Sequence, residues 1–444
     1  MKRRKRLAVA AKRFISTFED FSSAQALSGV ILILCMVVAM IWANSDYAHY
    51  YHELWETKFT IGFEGAHLTK DLHHWINDGL MAMFFFTVGL EIKREVMVGE
   101  LSNKRKAILP VVAAIGGMAV PALIFIMFNS DYPEHEGWGI PMATDIAFTL
   151  GVMSLLGKRV PLSLKVFLTA LAIADDLGAV LVIALFYSSN ISLVNFGIAV
   201  AFLAVMVGAN MLGVRKKTFY AVVGIGGLWT AFLLSGIHAT VAGVVAALAI
   251  PTDSAYSLKG FRERIKTVLI KAKAISPLHH DLLSFEEQAV VTKVKKACKN
   301  YEPPLQTLEH NLNPWVIYFV MPMFTLANAG VTLPDDPIAM MGDSLSLGVG
   351  LGLLLGKPIG IVGLSLIAIK LKLADLPKGV NWQMMVGAGL LAGIGFTMSM
   401  FISELAFEKG ILEDTAKMGI LLGSFVAGVA GFIILKKAIK NKEG

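Results

Sequence analysis

Runs of about 20 predominantly apolar residues recur along almost the whole chain, and this is the feature that most limits what it can become. Each run is long enough to cross the hydrocarbon layer of a bilayer as a helix. Of the 444 residues 55% are hydrophobic and only 16% charged, against about 25% charged in soluble domains. A soluble protein with one oily tail does not reach that deficit. The reading is an all-α polytopic membrane protein. Twelve spans are predicted, at roughly 25–44, 74–96, 106–128, 136–156, 163–188, 192–213, 218–234, 237–250, 314–330, 345–370, 382–404 and 414–436. Cys35 lies inside the first run and Cys298 in a basic loop, which argues against a disulfide framework. The basic stretch Met1 to Arg13 is followed by polar residues and then by a span-length run, read as a retained helix rather than a cleaved signal.

Charge distribution tests the span count. With the N-terminus in the cytoplasm, the loops facing the cytoplasm hold Lys93, Arg94, Lys104, Arg105, Lys106, Lys158, Arg159, Arg215, Lys216, Lys217, Lys370, Lys372 and Lys378. The opposite loops hold Asp131, Glu134, Glu136, Asp335, Asp336, Glu408, Glu413 and Asp414. This is the positive-inside pattern, and a missing or extra span would invert everything downstream of it. The net charge of +7 is thereby assigned to basic cytoplasmic loops and not to nucleic-acid binding. The domain reading is a cytoplasmic segment 1–24, a transmembrane domain 25–436 and a cytoplasmic tail 437–444, with both termini inside. Two excursions leave the membrane. The outer-face loop 45–72 is aromatic-rich and is read as a short hairpin on the membrane surface. The cytoplasmic loop 251–313, with an amphipathic helix over Leu282 to Asn300, is read as a solvated linker, with a regulatory or partner-binding segment as the alternative.

Charges near the middle of a span are costly, on the order of 2.5–3.5 kcal/mol each on insertion scales, and mark function by default. Four are placed there: Asp145 in the fourth span, Asp175 and Asp176 in the fifth, and Lys357 in the tenth. Asp175 sits 12 residues past the start of its span, hence ~18 Å into a ~30 Å layer, too deep for a short side chain to snorkel. Adjacent helical residues point about 100° apart, so one carboxylate lines a cavity while the other meets a partner. Lys357, the one base near a span centre, is the natural partner. No cofactor is implied by any motif.

The fourth span carries Pro141 before Thr144 and Asp145, and the eleventh carries Gly389, Gly393 and Gly395. Both are read as broken helices whose unwound backbone lines a cavity. Spans 3–5 and 10–12 then have opposite orientations and form an inverted repeat, with the two breaks crossing at the bilayer midplane. In such a crossing Asp145 balances the positive N-terminal ends of half-helices and Lys357 the negative C-terminal ends.

Eight stretches, in order, resemble the NhaA-type sodium/proton antiporters: WINDGLMA from Trp75, VGLEIKRE from Val88, ATDIAF from Ala143, AIADDLGA from Ala172, SGIHAT from Ser235, ANAGV from Ala327, GKPIG from Gly356 and GIGFTMS from Gly393. The resemblance covers the chain from about residue 25 to its end. It implies a bacterial inner-membrane antiporter, not an enzyme, that exports Na+ or Li+ in exchange for H+, is electrogenic and pH-regulated, and forms a homodimer through an outer hairpin. It implies further that Asp176 is the principal cation and proton carboxylate and that Asp175 pairs with Lys357. Thr144 and Asp145 would lie at the crossing of the first broken helix and Asp78 in the outer funnel. Glu91, Arg94, Glu95, Glu309 and His310 would belong to the cytoplasmic pH response. Asn313 stands where a second histidine is expected, and the loop before it is long for the family.

Antiport needs one site that holds either ion but not both. A free aspartate, with a pKa of about 3.9, stays ionised in the cell. Burial and a like-charged neighbour are the conditions under which such a group also carries a proton, and the Asp175-Asp176 pair meets both. A sodium-coupled solute symporter of the same plan is the alternative; it would require a roomy polar cavity. Intramembrane proteases and prenyltransferases place their acids at spacings that Asp175-Asp176 does not match.

Overall fold

The computed structural model describes residues 27–63, 66–188, 191–273, 284–334 and 336–443; the segment 1–24 and Asp335 lie outside the described residues. Helices form the membrane body, with the short α13 (Pro337–Gly342) linking two of them: α1 (Leu27–Ala43), α3 (Leu72–Val98), α4 (Lys104–Phe128), α5 (Ile146–Ser154), α6 (Leu162–Phe186), α7 (Leu193–Met211), α8 (Lys217–Leu233), α9 (Ala239–Ala249), α12 (304–328), α14 (Ser344–Lys370), α15 (Trp382–Leu391), α16 (Phe396–Ala406) and α17 (Ile411–Glu443). Six of these are individually long and apolar enough to cross, or eight when each sharply bent pair counts as one span. The remaining predicted crossings are shorter or interrupted. The chain is thus an all-helical polytopic membrane protein, in which the fourth and eleventh predicted spans are interrupted by non-helical stretches at 143–145 and 392–395.

Contacts at the helix ends sort the loops into two rims. At one, Asn44 Nδ2 donates to the Val331 carbonyl (2.8 Å), and the Tyr51 hydroxyl reaches the Leu326 carbonyl (2.8 Å). Tyr187 and His238 meet there too, with His238 Nε2 2.6 Å from the Tyr187 carbonyl. At the other rim Lys93 Nζ donates to the carbonyls of Leu248 and Ile250 (both 2.6 Å) and Arg215 pairs with Asp253 (2.7 Å). The first is the hairpin rim, since it carries α2 (Ala48–Glu56), bent 112° from α1, and an antiparallel pair of strands, β1 (Lys58–Phe63) and β2 (Ala66–Asp71). Lys58 faces Asp71 and Thr60 faces Thr69, whose hydroxyls lie 2.8 Å apart. Trp75 ties the hairpin to α3 by donating to the Phe59 carbonyl at 2.9 Å. These are the only strands among the described residues.

The loop 251–313 is more structured than expected. It holds α10 (Leu258–Lys273) and α11 (Phe285–Tyr301), joined by stacking of Phe261 on Tyr301 with ring centroids 4.4 Å apart. Ser284 caps α11 in a capping box with Glu287; residues 282–283 of the expected helix lie outside the described residues. The ninth span also begins earlier than its apolar stretch, because α12 starts at Pro304, a residue suited to a first helical turn. Glu309 and His310 therefore sit on a helix and not in a linker.

Packing divides the spans into two bundles. One contains α4, α5, α6, α14, α15, α16 and α17; the other contains α3, α7, α8, α9 and α12. Within the first, α4 and α14 touch backbone to backbone. A Cβ on Gly116 would lie 2.2 Å from the Gly360 carbonyl oxygen, and one on Gly360 would lie 2.0 Å from that of Gly116. Small residues permit this approach between membrane helices. Gly360→Ala is expected to force the helices apart and to lower stability by about 1–3 kcal/mol. Thermal unfolding in detergent, followed by tryptophan fluorescence, would sink this expectation if the melting temperature did not fall.

Candidate transport site

Two helices break at the centre of the first bundle. The first interrupted span runs through a 3-10 segment (Glu134–Met142), an extended stretch 143–145 and α5; the second runs through α15, the stretch 392–395 and α16. Unpaired backbone within a membrane is tolerated only when protein satisfies it. Here each break satisfies the other. Asp145 N donates to the Ile394 carbonyl (2.7 Å), and the hydroxyls of Thr144 and Thr149 donate to the carbonyls of Ala392 (2.8 Å) and Leu391 (2.9 Å). Ser399 Oγ returns a bond to the Ile140 carbonyl (2.8 Å), and Ser424 of α17 accepts from Gly395 N and Phe396 N (both 3.2 Å).

Asp145 caps both half-helices that begin here. Its Oδ1 accepts from Phe148 N (3.0 Å) at the start of α5, and its Oδ2 accepts from Thr397 N (3.2 Å) and from the Thr397 hydroxyl at the start of α16. A carboxylate at two helix N-termini is where the backbone dipoles favour negative charge. Thr397 lies in the GIGFTMS stretch, and its role as a donor to Asp145 was not read from the sequence.

Asp175 and Asp176 sit near the middle of the uninterrupted α6 and are both buried. Their surroundings differ, as the 100° offset of neighbouring helical residues requires. Asp175 Oδ2 lies 2.6 Å from Lys357 Nζ, and Lys357 is 0% exposed. The ammonium also donates to the carbonyl of Met142, the last residue of the 3-10 segment. Lys357 follows a π-turn over Gly352–Gly356 within α14, a local widening often found at functional positions. Asp175 Oδ1 is buried without a hydrogen-bond partner. Asp176 faces the other way. It makes no hydrogen bond to the described residues and lines a narrow cavity of about 80 Å³ together with Thr144, Asp145, Thr87, Met398 and Glu91.

That cavity runs from Asp176 toward the basic rim, where Asn313 and Glu91 line it. Beside it Arg94 gathers three acids, lying 3.8 Å from Glu91, 3.0 Å from Glu95 and 3.2 Å from Glu309. His310 is exposed and forms no ion pair in this cluster. Asp78 is remote from it, on a π-turn (Trp75–Leu80) near the hairpin rim, where its backbone carbonyl accepts from Trp229 Nε1 at 3.1 Å. Among the described residues no group of three or more His, Cys, Asp or Glu side chains is arranged to hold a resident metal ion.

Residues 19–435 match the family described as Na+/H+ antiporter 1. The chain is 49% identical to the Na(+)/H(+) antiporter NhaA of Oleidesulfovibrio alaskensis over 435 residues, covering 97% of this chain and 96% of that one. It is 47% identical to the Na(+)/H(+) antiporter NhaA 2 of Syntrophotalea carbinolica, covering 96% and 97%, and 45% identical to the NhaA of Koribacter versatilis, covering 96% and 93%.

Proposed function

The chain belongs to the Na+/H+ antiporter 1 family, and from that premise we propose that it exchanges Na+ for H+ at Asp176. It is a transporter and not an enzyme. The observation that carries the assignment is the division of labour on α6: Asp175 is engaged by Lys357, while the neighbouring Asp176 has no partner and faces the cavity. Ionised Asp176 attracts Na+. Protonation removes the charge that holds the cation, and an arriving cation displaces the proton, so the two ions compete for one group. Thr144 and Asp145 complete the wall of this site. The cavity, at about 80 Å³, falls below the roughly 300–1,000 Å³ of small-molecule pockets, which speaks against a solute symporter.

Li+, a compact cation of the same charge, is a second substrate. Release of two protons per Na+, one from Asp176 and one from the Asp175–Lys357 pair, makes the exchange electrogenic, so a potential negative inside helps drive Na+ out. The protein resides in a bacterial inner membrane with its basic rim and both termini in the cytoplasm, by the positive-inside rule. The hairpin β1–β2, with Phe59 and Ile61 exposed, provides the contact for a homodimer. The direct test adds Na+, Li+ or K+ to everted vesicles carrying a pH gradient, across a pH series. Dequenching by Na+ and Li+ but not K+ is expected. Absence of any Na+ response, or Na+ uptake that depends on an organic solute, would overturn the proposal.

Arg94 and its three acids at the mouth of the cavity are assigned to the pH response, with His310 beside Glu309 on the same helix. Removing the guanidinium leaves clustered acids whose repulsion protons relieve. Arg94→Ala is therefore expected to move activation about one pH unit to the alkaline side, about 1.4 kcal/mol in interaction. The pH profile of Na+-driven dequenching reads this, and an unchanged profile removes Arg94 from regulation.

A further inference from the structure

The side of the site that faces the hairpin rim is closed, and three helices close it in successive layers. Nearest the site, Met321 of α12, Met398 of α16, and Phe84 and Thr87 of α3 form the cavity wall. One turn nearer the hairpin come Phe324 of α12 and Phe401 of α16, packed against Phe85, the neighbour of Phe84 on α3; all three rings are at most 1% exposed. The Phe401 ring lies 5.4 Å from that of Phe85 and 6.2 Å from that of Phe324, centroid to centroid. Beyond these rings the same helices supply a polar layer: Asn328 of α12, Glu404 of α16, and Asn77 and His73 of α3. Asn77 Nδ2 donates to Glu404 Oε2, and Asn328 Nδ2 donates to Asn77 Oδ1 (2.9 Å) and to the Phe324 carbonyl (3.0 Å). His73 Nε2 lies 2.7 Å from Glu404 Oε1, a close contact off the hydrogen-bond axis. Above this layer a polar pocket of about 300 Å³ reaches the hairpin rim, lined by Tyr51, His73, Glu413 and Lys417.

The polar partners come from opposite bundles. Glu404 belongs to the bundle of the crossing, His73, Asn77 and Asn328 to the other. The Glu404 side chain is 8% exposed and that of His73 11%. A carboxylate so buried is costly unless it is paired and hydrogen-bonded. Lys417, on the pocket wall, is already engaged by Glu413 at 2.5 Å. Any route from the hairpin rim to Asp176 requires α16 to separate from α3 and α12, and that movement strips Glu404 of its partners before water reaches it. We propose that Glu404, with His73 and Asn77, is a polar latch that holds the hairpin-side route shut while the cavity is open toward the basic rim. Glu404 is a positioning residue in this scheme: it sets the balance between the two access states and does not bind the transported ion.

The latch rests on the exchange reading, because only a transporter with alternating access needs it, but its test reads accessibility and not transport, so the two fail separately. Thr87→Cys, in a background with Cys35 and Cys298 replaced by alanine, places a thiol on the cavity wall behind the phenylalanine layer. A membrane-impermeant maleimide is applied from each side of sealed vesicles. With the latch intact, labelling is expected from the basic-rim side. Glu404→Ala is expected to raise the rate from the hairpin side about tenfold, as for loss of a hydrogen bond to a charged group. Glu404→Gln, which still accepts from Asn77, should give a smaller rise. Should Glu404→Ala fail to fold, His73→Gln and Asn77→Ala read the same balance and are expected to raise the hairpin-side rate. A lowered melting temperature with unchanged sidedness of labelling would mean that Glu404 only supports the fold, and would overturn the proposal.

Discussion

Asp176→Asn is expected to abolish exchange in a protein that still inserts and folds. Asparagine keeps the size of the side chain but neither titrates nor carries charge. Removing a charged ligand about 4 Å from a cation at an effective dielectric of about 20 costs about 4 kcal/mol, roughly a thousandfold in affinity. The fold is expected to tolerate the change, because Asp176 makes no hydrogen bond to the described residues and faces a cavity. Two measurements check the pair of claims: Na+-induced dequenching in everted vesicles, and the elution profile and melting temperature of the purified variant. Dequenching near the parent level would show that the ion is held elsewhere, and an aggregated protein would show that Asp176 is structural.

Lys357→Ala should have the opposite balance of effects. The lysine is fully buried and engages Asp175 and the Met142 carbonyl at once. Its loss leaves a buried carboxylate beside Asp176 and an uncompensated carbonyl at the end of the 3-10 segment. Breaking a buried pair by removing one partner costs about 3–5 kcal/mol, so a marked fall in melting temperature is expected. The charge moved per Na+ should change as well, since the second proton of the cycle is assigned to this pair. Asp175→Asn combined with Lys357→Ala removes both members and should recover part of the stability. A variant with the parent's melting temperature and the same current per Na+ would separate Lys357 from both roles.

The intramembrane charges were legible because the membrane makes each of them expensive. Asp145, Asp175, Asp176 and Lys357 stand out against apolar neighbours, and Pro141 and the glycines near 393 mark the two interruptions. Glu404 did not stand out. It is the last residue of a predicted span, where a charge is ordinary, and its partner Asn77 lies 327 residues away. The start of α12 was hidden for a different reason. Its first turns carry Gln306, Glu309 and Asn311 among the apolar residues, so hydropathy begins the span near 314 although the helix begins at Pro304. The helix α10 was missed because its apolar residues are spaced for one face of a surface helix and form no continuous run. The second side of the crossing, Thr397 on Asp145, is a contact over 252 residues that no local pattern announces.

The interlocked breaks bear on how the protein is made. In the fourth span the Asp145 amide and the Ile140 carbonyl find their partners in the eleventh, about 250 residues later, and the Met142 carbonyl finds Lys357 in the tenth. At about 5–20 residues per second, the first half leaves the ribosome roughly 13–50 s before the second can join it. Throughout that interval the stretch 143–145 needs water or an insertion partner to satisfy its backbone. Assembly of the crossing is therefore a late step of biogenesis, and the nascent first repeat is the species most exposed to membrane quality control.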